Sequence, residues 1–218
     1  MMRRILISGM MGMFMMTTLS GFLHAQPNKG TVKTEPPATP SAVELRMAMR
    51  ELWEAHVMYT RNYIISAVAN LEDVGAIAGR LLKNQDDIGA AIKPVYGDAA
   101  GNKLAALLRD HITIAVDVVK AAKTGADADL AQADKKWHAN ADELAAFLSG
   151  ANPNWPKKDL TDMLYRHLEL TTGEVVARLK KDWTADIAAY DQGDAHMLMF
   201  ADVLTKGILK QFPDKFKK

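Results

Sequence analysis

The chain has 218 residues, 27 basic and 26 acidic side chains, and no cysteine. That length suits one domain of ordinary size, and apolar and charged shares of 49% and 24% exclude whole-chain disorder and collagen-like repeats. A formal charge of +1 gives no electrostatic reason to expect nucleic acid or an anionic membrane as partner, and without thiols there are no disulfides, iron–sulfur clusters or thiolate zinc sites.

Residues 1–25 open with Arg3 and Arg4, run through an apolar stretch and end on Leu23-His24-Ala25. A basic start, apolar middle and small final residue predict a secretory signal peptide cleaved near Ala25. The protein is therefore expected to be exported, periplasmic or secreted, with no stable membrane insertion after cleavage. Arg3-Arg4-Ile5-Leu6 also partly matches a twin-arginine signal, though the short basic region favours the general secretory route. Residues 26–40 hold Pro27, Pro36, Pro37 and Pro40 with almost nothing apolar, which predicts a disordered proline-rich linker. Folding is expected to start near Ser41, a candidate helix cap with Glu44 three residues on.

From there to Gln211 the apolar residues recur at three and four, as in Leu45, Met49, Leu52, Tyr59 and Tyr63, and strand-like alternation is absent. Six helices are predicted, over 41–69, 73–93, 99–123, 127–149, 158–180 and 184–211. The fold class is all-α, a helical bundle over 41–213 followed by a basic tail over 214–218.

Self-comparison adds a repeat. Leu52-x-x-x-His56, Leu107-x-x-x-His111 and Met163-x-x-x-His167 are spaced by 55 and 56 residues. Downstream, the run Asn84 to Ile92 aligns without a gap to Asn140 to Leu148, and in a third copy His196 takes the asparagine position. Each unit closes on proline and an aromatic: Pro94 with Tyr96, Pro153 with Trp155, Pro213 with Phe216. The expected architecture is a six-helix bundle of three tandem helical hairpins. His56 to Asn84 is 28 residues, and His111 to Asn140 and His167 to His196 are 29 each. In an antiparallel hairpin such partners lie at equal height, roughly 20 Å from the turn at about 1.5 Å per residue. Six polar positions are thus expected in one layer.

That layer is the candidate site. His56, His111, His167 and His196 are candidate metal ligands, with Asp87 and Glu143, three residues beyond Asn84 and Asn140, as further ligands or orienters; Asn84 and Asn140 are candidate binding groups that fix the imidazole tautomers. Imidazole with carboxylate suits a transition metal such as iron, copper or zinc, and bundle cores hold such sites on facing helices. A polar pocket for an organic small molecule, a metal-dependent enzyme, and a buried histidine network that senses acid are the alternatives. His138 is expected at the surface, Trp53, Trp137, Trp155 and Trp183 in packing, and Arg61, Arg80 and Arg178 paired with acids.

Leu52-Trp53-Glu54-Ala55-His56-Val57, Arg80 to Gly89, Ala91 to Gly97, Asp110-His111-Ile112 and Trp137 with Asn140 to Glu143 resemble a family of uncharacterised exported bacterial helical-bundle proteins with no settled activity. The resemblance spans residues 45–213 and implies the fold alone. A looser likeness is to ferritin-like metal-binding bundles, from which the chain departs in having no Glu-x-x-His pair on matching helices.

Overall fold

A computed structural model describes residues 39–217 of the chain. These form six α-helices and a closing turn of 3-10 helix, with no strand among them. The expected leader (1–25), most of the expected linker (26–38) and Lys218 lie outside the described residues. The helices are α1 (Pro40–Ala69), α2 (Val74–Tyr96), α3 (Asp98–Thr124), α4 (Asp127–Ala151), α5 (Lys157–Leu179) and α6 (Trp183–Gln211).

Local chemistry explains their ends. Thr39, not Ser41, caps α1: its hydroxyl accepts from the Ala42 amide at 3.3 Å. Pro40 follows in the first turn, where its missing amide proton removes no helical bond. Asn70 ends α1 in the left-handed region at φ 56°. Gly125 ends α3 at φ 67°, and Gly97 alone turns α2 into α3 at φ 85°, conformations that suit glycine. The turn between α5 and α6 has no glycine, and Lys181 takes φ 60° instead. Asp182 then caps α6 by accepting from the Ala185 amide at 3.0 Å.

Two sequence expectations are corrected here. Pro94 does not end α2 at residue 93; the helix runs to Tyr96. In the final turn the proline removes only one bond, to the exposed Ala90. The segment from Pro213 is not a solvated tail over its whole length. It folds as a 3-10 turn (Pro213–Phe216) whose Phe216 carbonyl accepts from the Thr39 hydroxyl, while Lys215 Nζ donates to the Pro94 carbonyl at 2.8 Å.

Each helix packs on its neighbours in sequence and α6 closes on α1, so the six form a ring. α1, α3 and α5 also touch one another across its middle. The core is built in strata along these three inner helices. Met49, Leu104 and Leu160 lie seven residues before His56, His111 and His167; Trp53, Leu108 and Leu164 lie three before; all six are buried in one cluster. Ile64, Val119 and Val175, eight residues after the histidines, form a separate small cluster. Full burial of each such side chain contributes about 1.5–3 kcal/mol. The histidines occupy the level between the two apolar clusters.

Candidate functional site: a buried histidine layer

His56 on α1, His111 on α3 and His167 on α5 are 2%, 3% and 6% exposed. Their rings meet at the centre of the bundle. The His56 and His167 centroids are 5.5 Å apart, and those of His111 and His167 are 5.9 Å apart with the rings nearly parallel. The outer helices hold this level in place by one repeated bond. Asn84 Nδ2 donates to the Leu52 carbonyl at 3.0 Å, Asn140 Nδ2 to the Leu107 carbonyl at 3.0 Å, and His196 Nε2 to the Met163 carbonyl at 2.8 Å. Each acceptor lies four residues before one of the three central histidines.

The tautomer of His111 follows from its neighbours. Asn140 spends its amide hydrogens on Leu107, so its Oδ1 accepts from His111 Nδ1–H at 2.8 Å. His111 Nε2 then carries the lone pair, and Trp137 Nε1 donates to it at 3.1 Å. Both ring nitrogens are satisfied with the ring neutral. Gln85 Nε2 uses its two hydrogens on the Leu81 carbonyl at 2.8 Å and Asn84 Oδ1 at 3.1 Å and lies 3.3 Å from His56 Nδ1. Asn84 therefore reaches its histidine only through Gln85. His167 has ring contacts but no hydrogen-bond partner among the described residues.

Burial dominates the electrostatics of the layer. It pulls His56 down to about 3 and His111 to about 4, and holds His167 well below its ordinary value, with the neighbouring imidazoles adding repulsion at His56 and His167.

Two residues expected in the layer are elsewhere. Asp87 lies on the outer face of α2, where Lys83 Nζ donates to it at 2.7 Å and Arg80 is 3.9 Å away. Glu143 is exposed on α4, at the edge of a surface hollow of about 370 Å³ shared with Asp110 and Lys136. The reason is angular. On an α-helix a residue three positions on lies about 60° round from the first, and the inward stripe of α2 runs to the other side, through Gln85, Ile88 and Ile92. His196 is half-buried, and Met199 beside it is 55% exposed. With His111 doubly hydrogen-bonded and His196 committed to a carbonyl, the layer does not offer three convergent lone pairs. Among the described residues no three histidine, aspartate or glutamate side chains are grouped as metal ligands. The hollows beside the layer are small: an apolar one of about 20 Å³ toward Trp53, Leu104 and Phe200, and one of about 10 Å³ at His167.

Sequence reasoning missed two parts of the site. Gln85 follows directly on Asn84, where the aligned units have the apolar Ala141 and Met197, and that mismatch was the available signal. Trp137 packs in the core as expected, and its indole N–H in addition caps His111. Two turns from the layer lies a buried ionic network. Arg61 Nη1 donates to Glu174 Oε1 at 2.7 Å and to Asp186 Oδ1 at 3.1 Å, and Arg178 Nη1 donates to Asp186 Oδ2 at 2.9 Å. Burial raises Glu174 to about 7 against the pull of Arg61. Asp202 is gripped by Arg46 and Arg50 and lowered to about 2. His138 is half-buried and turns to Tyr165 at 4.8 Å and the Asp134 carbonyl at 2.9 Å. No known protein family, curated protein or solved structure matches the chain.

Proposed function

We propose that the protein is an exported, acid-responsive bundle of three tandem helical hairpins, held closed near neutral pH by its neutral imidazole layer and released in acid. The leader-like residues 1–25 support export, which would place the bundle where the outside pH reaches it. Kinship with the exported bacterial bundles that share its motifs belongs to the same proposal. Three hairpins are supported by the three equivalent side chain-to-carbonyl bonds and by the matching strata above and below the layer.

One observation carries the acid response: three imidazoles from three helices are buried together, and among the described residues no carboxylate is hydrogen-bonded to any of them. A further proton would be an uncompensated core charge. On His111 it would have to enter at Nε2 against the Trp137 N–H. In the unfolded chain each histidine titrates near 6.5. Their contribution is therefore intact above pH 6.5 and is lost as pH falls toward the folded values, by about 1.4 kcal/mol per histidine per pH unit. Glu174 acts in the opposite sense, because a raised carboxyl binds its proton more readily in the folded state. At pH 5 His56 and His111 together remove about 4 kcal/mol, His167 acts in the same direction, and Glu174 offsets about 3, against a typical domain stability of about 5–15 kcal/mol.

Urea unfolding of the full chain from pH 8 to pH 4.5, followed by circular dichroism, tests this. Stability is expected to fall steeply below pH 6.5, and less steeply in His56→Gln and His111→Gln. A level profile in the parent protein, or unchanged slopes in both variants, would rule the reading out.

A further inference from the structure

The three hairpins differ at one inward position of their outer helices. Three residues before Asn84, Asn140 and His196 stand Leu81, Trp137 and Gly193. Leu81 and Trp137 are each 2% exposed and fill the wall beside the layer. Gly193 fills nothing: a methyl group added there would meet no atom within 4 Å. The hollow of about 10 Å³ is lined here by Ala189 and Gly193 of α6, by His167, Thr171 and Glu174 of α5, and by Val57 and Thr60 of α1. That volume is about one water molecule. His167 is also the one layer histidine without a hydrogen-bond partner among the described residues.

We infer that the gap at Gly193 is the portal through which water and protons reach the sealed histidine layer, with His167 as the point of entry. The inference extends the acid-response reading by naming its route, but the gap and its test stand without that reading. His111 is closed off by Trp137, and His56 by Gln85. His167 faces the hollow along one side of α5, where Thr171 and Glu174 follow at four and seven residues and share its face. The groups facing His167 are His56 from α1, His111 from α3 and His196 from α6. Those facing Glu174 are Arg61 from α1, Arg178 from α5, and Asp186 and Tyr190 from α6. Arg61 Nη1 takes up Glu174 Oε1 at 2.7 Å. Thr60 and Thr171 donate their hydroxyl protons to the His56 and His167 carbonyls at 2.8 and 2.9 Å, so their oxygens can accept from such a water.

Deuterium exchange at the imidazole Cε1 position, read residue by residue by mass spectrometry on the intact chain at pH 7.5, tests the portal with the fold closed. His167 is expected to exchange about tenfold faster than His111, and Gly193→Leu to slow it toward the His111 rate without lowering the melting temperature. Ala189→Met, at the mouth, should slow His167 in the same direction if Gly193→Leu does not fold. His167 exchanging as slowly as His111 in the parent chain would overturn the inference. So would an unchanged His167 rate in a folded plugging variant. Because the exchange is read at neutral pH, a chain whose stability ignores acid can still pass or fail it.

Discussion

At the scale of single residues, the layer works through donors aimed at lone pairs. Trp137 N–H on His111 Nε2 favours the uncharged ring. Trp137→Phe keeps an aromatic body but removes the donor. It is expected to cost about 1–2 kcal/mol at pH 7.5, the net worth of a buried hydrogen bond plus some lost packing. It should also make His111 easier to protonate, so that the acid-dependent loss of stability becomes shallower. An NMR titration of the His111 ring checks the second effect separately from the first. Asp87 and Glu143 are instructive at this scale because their residue type was right for a ligand and their angle was wrong. Asn140, by contrast, bonds both its histidine and the neighbouring carbonyl.

At the scale of elements, the ionic network ties the ends of α5 and α6 to α1. Arg61 is its only member from α1 and lies 4.7 Å over the Tyr190 ring. Arg61→Met would leave Glu174 and Asp186 buried with Arg178 as their one remaining cation. The expected cost is about 3–5 kcal/mol, the penalty of an orphaned buried charge. It should be greatest above pH 7 and smaller at pH 6, where Glu174 takes a proton and removes one of the unmatched charges; urea unfolding at the two pH values compares them. The turn before α6 makes a milder test. Lys181 holds a left-handed conformation that glycine adopts without steric cost, so Lys181→Gly is expected to raise stability by about 0.5–1 kcal/mol in a thermal melt.

At the scale of the whole molecule, the closed ring sets what can reach the centre. α1, α3 and α5 bring their histidines together, and the hollows beside their rings, at His167 and toward Trp53, are about 10 and 20 Å³. Organic ligands do not fit such spaces with the ring closed. Iron, copper or zinc added at pH 7.5 is expected to leave the melting temperature unchanged, because binding would first require breaking the Trp137–His111 or His196–Met163 bond. A rise of several degrees on adding any one of them would show that the layer rearranges to ligate it. No helix among the described residues is long and apolar enough to cross a membrane.

The helices and the common height of the histidines were legible along the chain. Three-and-four periodicity, prolines and turn residues placed most of the twelve helix ends within a residue or two, because those signals act locally along the chain. Equal spacing from each turn placed the histidines at one level, because the rise per residue is nearly constant. Only the tertiary structure decided which way each group faces and what it meets there. The ring's inward arc is narrow, and a rotation of about 60° sends Asp87 and Glu143 to solvent while Gln85 turns inward. Which groups meet His111 and His56, which arginine meets Glu174, and that the gap at Gly193 opens beside His167 all depend on distances between helices far apart in the chain. Spacing along one helix carries no information about those distances.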